Sequence, residues 1–163
     1  MDKALRIVNG LQKSGVIKAY AIGGGIAATF YIEPVLTYDL DIFFIPVSEG
    51  LDVLSPIYRE LKKKGCRAEK EIVMIKGVAV QFIPVYNELV KEAVETAVES
   101  TYKKVRARIL KPEYLLAIAL QTNRPKDRER AALLLEQAKL DSRLLATLLK
   151  SHGLSERFQK LKT

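Results

Sequence analysis

Apolar positions recur along the chain with two periods, and the change from one to the other marks most of its elements. Leu5, Ile7, Val8 and Leu11 fall at helical spacing and predict an amphipathic helix over 3–14, ended by Gly15. Residues 16–22 form a short apolar run that reads as a buried strand. Gly23, Gly24 and Gly25 follow, and 26–31 reads as a helix. The next strand spans 38–45 and stops at Pro46. Leu54, Ile57, Tyr58 and Leu61 predict a helix over 52–64, closed by Gly65. Residues 68–75 and 78–84 predict two strands joined tightly through Lys76-Gly77. Asn87 suits the cap of a helix running to about Glu99. Residues 105–109 alternate apolar and basic side chains, the pattern of a last, edge-like strand.

From Pro112 the pattern becomes helical only. Pro112 suits a first helical turn, and Tyr114, Leu115, Ile118 and Ala119 supply an apolar stripe. Further helices are predicted from Pro125 through Leu135, from Asp141 to Lys150, and from Ser155 onward. The expectation is therefore a mixed α/β region over 1–110 and a helical region over 111–163.

Composition narrows the class. With 48% hydrophobic and 28% charged residues in 163, the chain has an ordinary globular balance. Cys66 is the only cysteine, which excludes an internal disulfide and a thiol-rich metal site. His152 is the only histidine, which excludes a histidine-based metal site and a Ser-His triad, and its place before Gly153 suits a helix end. The start, Met-Asp-Lys-Ala-Leu-Arg, is amphipathic, and every apolar run is short. A cytoplasmic protein with no membrane span is expected.

The net charge of +8 is unevenly placed. Residues 1–50 carry −1, residues 51–100 carry zero and residues 101–163 carry +9. Two readings stand: a surface for a polyanion such as nucleic acid or a nucleotide triphosphate, or a solvated basic helical face. Arg124, Lys126, Arg128 and Arg130 crowd the start of one helix, where cations oppose the dipole by ~0.3–1 kcal/mol each when exposed. An anionic partner, or ion pairs to Asp127 and Glu129, would offset this.

The candidate chemistry lies between the first two strands. Alternation puts Thr37, Asp39 and Asp41 on one face of a strand and Leu40, Ile42 and Phe44 on the other. Tyr38 is then expected to pack, opposite Asp39. Two carboxylates at i and i+2 can hold one or two hard cations, and Mg²⁺ favours a few carboxylates plus substrate phosphates. Gly24 and Gly25, opening a helix, expose backbone N–H groups to a phosphate. A wet edge strand would also explain the aspartates, and a tight turn would explain the glycines. Gly23-x-Gly25-x-x-Ala28 fits a dinucleotide fingerprint as well, but Asp39 and Asp41 precede the apolar run 42–45 instead of closing it.

Strand, glycines, helix and Asp39-x-Asp41 together resemble the nucleotidyltransferase superfamily, with its polymerase beta-like minimal fold. The flanks Ala-Ile-Gly-Gly-Gly-Ile-Ala-Ala and Leu-Thr-Tyr-Asp-Leu-Asp-Ile-Phe-Phe, with Arg124-x-Lys126-Asp127, are similar to the AbiEii-toxin-like group. The resemblance implies a mixed sheet with flanking helices followed by a helical C-terminal part. It implies Mg²⁺ (or Mn²⁺) on Asp39 and Asp41, and an NTP held by Gly24, Gly25, Thr37, Gln81 and Arg124. Lys126 would bind phosphates. Asp127 would be either a base toward an acceptor hydroxyl or a partner holding Lys126. The acceptor would be RNA, a protein or a small molecule, with the basic C-terminal region as its surface. Three positions depart from the family pattern. Gln81 stands where a third carboxylate is usual, the helix 115–120 lacks a lysine, and Arg130 replaces an aspartate. An amide cannot serve as a general base. The rival reading is a catalytically degenerate module that binds nucleotide or nucleic acid.

Overall fold

The computed structural model describes all 163 residues. In chain order the elements are α1 (Asp2–Lys13), β1 (Ile17–Gly23), α2 (Gly24–Ala28), β2 (Asp39–Pro46) and α3 (Ser55–Lys63). There follow β3 (Arg67–Glu69), β4 (Ile72–Ile75), β5 (Val78–Pro84), α4 (Glu88–Glu95), β6 (Val98–Tyr102) and β7 (Val105–Ile109). Four helices complete the chain: α5 (Pro112–Thr122), α6 (Pro125–Gln137), α7 (Ser142–Ser151) and α8 (Ser155–Lys162). No helix is long and apolar enough to cross a membrane.

The strands form one mixed sheet in the order β3-β4-β5-β2-β1-β7-β6. β2 runs antiparallel to β1 and parallel to β5, and β7 runs parallel to β1. Leu40, Ile42 and Phe44 are fully buried, so the apolar face of β2 enters the core as its alternation requires. Tyr20 of β1 is the cross-strand partner of Phe44, and its hydroxyl donates to Asn9 of α1 at 2.6 Å. That bond places α1 over this face. The opposite face of β2 carries Asp39 and Asp41 and, further along, Phe43.

α5 is buried along 112–120, as a helix apolar on all sides must be. It packs against α2, α4, α6 and α7. Its buried Glu113 accepts the Asp141 backbone N–H at 2.6 Å, which ties the start of α7 to α5. One hydrophobic cluster of 42 residues runs from Ala4 to Leu154 and so includes both the sheet and the terminal helices.

Several expected elements changed shape. The strand expected over 68–75 is two strands, because Glu69-Lys70-Glu71 interrupts the apolar run and the chain reverses there, with Lys70 at φ 58°. The helix capped by Asn87 ends at Glu95, and β6 follows. β7 is therefore not at the edge; β6 is. The β6–β7 turn is Lys103-Lys104, both at positive φ (46° and 65°), a conformation that Asn-Gly or Asp-Gly would normally announce. The 52–64 helix starts only at Ser55, whose amide is held by Asp52 at 3.0 Å. The helix expected over 26–31 starts at Gly24 and ends at Ala28.

Other local readings hold. Asn87 accepts the Val90 N–H at 2.9 Å, and Asp141 accepts those of Arg143 and Leu144. Lys76 and Gly77 both take positive φ in the β4–β5 hairpin. His152 sits at the C-cap of α7.

Candidate functional site

The end of β1 turns into α2 directly over β2, and the turn needs glycine for two separate reasons. Gly24 has φ +62°, and a Cβ there would collide with the Asp41 carboxylate. At Gly25 a Cβ would lie 2.7 Å from the Thr37 hydroxyl. The glycine backbone is thus pressed against the polar face of β2. Thr37 lies before β2 and not within it, yet its hydroxyl still reaches this turn.

β5 lies on the other side of β2. In the parallel register Asp39 faces Ala79 and Asp41 faces Gln81. Gln81 is therefore the neighbouring-strand residue beside Asp41, and the side chain there is a neutral amide. No group of three or more His, Cys, Asp or Glu side chains is placed to hold a metal. The oxygen donors at this point are two carboxylates and one amide.

A cavity of about 610 Å³ opens over this face. From the sheet side it is lined by Gly24, Gly25, Thr37, Asp39, Asp41 and Gln81. From the helical side it is lined by Arg124, Lys126 and Asp127, at the start of α6. Residues about ninety positions apart in sequence thus share one concave surface. Leu110, Leu115 and Ile118 floor it with apolar side chains.

The start of α6 is set by a sharp reversal. Asn123 adopts the left-handed conformation after α5, and Pro125 opens α6. Asp127, three residues into the turn, accepts the backbone N–H of the N-cap residue Arg124 at 3.3 Å. Its carboxylate accepts from Arg124 Nε at 2.6 Å and from Arg124 Nη2 at 3.3 Å, and Arg130 Nη1 lies 3.5 Å away. Asp127 is buried while Arg124 is exposed. Asp127 thus has two arginine partners and no ion pair with Lys126; of the alternatives offered for it, the one in which it holds Lys126 is not found. Lys126 is exposed on the cavity wall.

These placements tune the carboxylates in opposite directions. Burial pushes Asp41 above the usual carboxylate range; Arg130 offsets part of that, and Asp39 adds to it. Burial, the largest single effect, would raise Asp127 as well, but the hydrogen bonds from Arg124 and Thr122 and the Arg124 charge together outweigh it and hold Asp127 below the usual range.

Three side chains had no role in the expected site. Arg130 lines the cavity between α6 and the glycine turn; its spacing of four from Lys126 is the signal that could have assigned it. Tyr86 lies at the cavity after β5, half exposed, and no local pattern marks it. Tyr38 does not pack: it is 76% exposed at the cavity rim beside Leu36, because β2 begins only at Asp39. A second, smaller concavity of about 540 Å³ lies beside the Asn123 turn, lined by Arg128, Arg157 and Lys160.

No protein-family model and no curated protein matches the chain. Solved structures do match it along nearly its whole length. The solution structure of the antibiotic-resistance factor ANT(2'')-Ia aligns over 99% of this chain and 94% of its own, with a TM-score of 0.58 and 14% identity. The crystal structure of ANT(2'')-Ia in complex with adenylyl-2''-tobramycin aligns over 94% and 98%, with a TM-score of 0.60 and 15% identity. An antigenic nucleotidyltransferase-like protein from Paracoccidioides brasiliensis aligns over 99% and 93%, with a TM-score of 0.56 and 16% identity. Sheet order, glycine turn and alternating aspartates therefore sit on a mixed α/β fold shared with nucleotidyltransferases.

Proposed function

We propose that the chain transfers a nucleoside monophosphate from an NTP to a hydroxyl acceptor. Residues 1–110 would form the nucleotidyltransferase-like core and 111–163 the helical cover that brings Arg124, Lys126 and Asp127. The observation that carries this reading is the close approach of the Gly24 backbone to the Asp41 carboxylate, on the wall of a cavity that Asp39, Arg124 and Lys126 also line. The Arg124-x-Lys126-Asp127 order on the cavity wall supports the AbiEii-toxin-like group as the nearest functional class.

The donor set fits Mg²⁺ or Mn²⁺: hard oxygens from Asp39 and Asp41, with a nucleotide's phosphates completing the shell. When bound, the ion neutralises phosphate charge and draws electron density from the reacting phosphorus. The remaining work belongs to this chain. The Gly24 and Gly25 backbone and Thr37 seat the triphosphate. Lys126 and Arg124 face it with fixed positive charge. Asp127 positions Arg124; a carboxylate so well paired is a weak base, so we assign it no proton transfer. An acceptor oxygen bonds the α-phosphorus, the bond to the β-phosphate oxygen breaks, and pyrophosphate leaves while the acceptor proton passes to water. Lys126, Arg128, Arg157 and Lys160 would repel a polycationic acceptor and favour an anionic one, of which RNA is the chief candidate.

Gln81 favours a second reading, a module that binds nucleotide without turning it over. One experiment separates them. The protein is incubated with α-labelled NTPs, Mg²⁺ and pooled small RNAs and proteins, and MgATP binding is followed calorimetrically. Transferred label that disappears in Asp39→Asn supports the transferase. Binding without label supports the module. MgATP affinity equal in Asp39→Asn and parent overturns the site itself.

A further inference from the structure

Arg130 occupies a place in the cavity that matters for how many cations the site can take. Its side chain is only 20% exposed, although it is an arginine on a surface helix. Nη1 lies 3.5 Å from the buried Asp127 carboxylate. Nη2 lies 3.6 Å from where a Cβ on Gly25 would be. The guanidinium therefore spans from the α6 cap to the glycine turn that sits on Asp41. Asp127 is itself held by Arg124, so its anchor is fixed on both sides.

Across the same cavity, the side chain in register with Asp41 is Gln81, a neutral amide. Asp39 and Asp41 share the cavity with the Arg130 guanidinium, which acts on Asp41 more strongly than the Lys126 and Arg124 charges on the same wall, and no group of three acids is placed there to hold a metal. A first divalent ion on Asp39 and Asp41 is electrostatically balanced by them. A second would meet the first ion and Arg130 with no additional anion from the protein.

Building on the nucleotidyltransferase reading, we propose that the site takes one divalent ion and that Arg130 supplies the second positive charge, binding a phosphate oxygen of the NTP at the glycine turn. Planar, bidentate donors suit arginine to this role, because one edge can hold Asp127 while the other meets phosphate.

The test counts metal. Protein-bound Mn²⁺ is measured by equilibrium dialysis and electron paramagnetic resonance, at limiting protein and saturating non-hydrolysable ATP analogue. One Mn²⁺ per chain is expected for the native protein, which requires no variant to fold. Arg130→Ala should weaken analogue binding at least tenfold and, without nucleotide, tighten Mn²⁺ binding, because a like charge has left. Arg130→Lys should recover part of the nucleotide affinity. The double variant Gln81→Glu, Arg130→Ala should bind two Mn²⁺. Two Mn²⁺ in the native protein, or analogue affinity within twofold in Arg130→Ala, overturns the proposal and leaves the transferase reading standing. A protein that binds no nucleotide analogue overturns both.

Discussion

Gln81 stands beside Asp41, its partner across the parallel ladder of β2 and β5. A carboxylate at 81 would therefore project next to Asp39 and Asp41, on the same side of the sheet. Gln81→Glu should cost about 1–2 kcal/mol in metal-free protein, because three carboxylates crowd one concave surface. Added Mg²⁺ or Mn²⁺ should reverse that cost, since a ligand that binds only the folded state stabilises it by mass action. Thermal melts with and without metal test this. The variant's metal-induced rise in Tm should exceed the parent's; an equal rise would place Gln81 away from the metal.

Asp41 carries a cost in the absence of ligand. Burial raises it above its unfolded value, so its ionised form is less favourable in the fold than in the open chain. The sign follows: the native state loses relative stability as pH rises through the ordinary carboxylate range and above. Asp41→Asn should then stabilise the metal-free protein at neutral pH by on the order of 1 kcal/mol, or about 2–4 °C in Tm. The gain should shrink below about pH 4, where the unfolded carboxylate is protonated too. Nucleotide and metal binding should fall in the same variant. A lower Tm at neutral pH would contradict this account.

Asp127 behaves oppositely. Arg124 holds it below its unfolded value, so it contributes stability above about pH 4 that is lost as pH falls through the depressed value. Asp127→Asn should cost about 1–3 kcal/mol at pH 7, from the lost charge-assisted hydrogen bonds to Arg124 and the weakened cap. Denaturant midpoints measured against pH should converge for variant and parent in strong acid. A constant gap across the range would show that the ion pair contributes nothing.

The basic faces of α6 and α8 should read out as salt dependence. If single-stranded RNA lies along Lys126, Arg128 and Lys160, log affinity should fall steeply with log salt. Replacing these three by Gln should flatten that slope by about 2, from roughly 0.7 per phosphate contact. Filter binding over a salt series measures it. An unchanged slope, or no RNA binding at low salt, would leave this charge as a solvated surface.

Much of the architecture was legible because it is encoded locally. The face shared by Asp39 and Asp41 follows from strand alternation, and the burial of Leu40, Ile42 and Phe44 follows with it. Caps at Asn87 and Asp141 and the Lys76-Gly77 hairpin each depend on a few neighbouring residues. β6 was not legible, since its residues alternate weakly and its turn is two lysines held in an unfavourable conformation by the paired strands on either side. Nor could alternation tell that Tyr38 would be exposed, because it does not say where a strand begins.

The sequence by itself determined which side chains each element presents. Only the tertiary structure decided which of them meet. The order β5-β2-β1 set Gln81 against Asp41, and the packing of α5 and α6 over the sheet carried Arg130 to the glycine turn and Arg124 to the wall of the same cavity. Asp127 took arginines at three residues' distance on either side and left its neighbour Lys126 free on the cavity wall. The physical reason is range. Periodicity and capping act within one or two turns of chain, whereas the pairing of charges and the neighbours of a strand depend on residues forty to ninety positions away, brought together by the burial of one shared core.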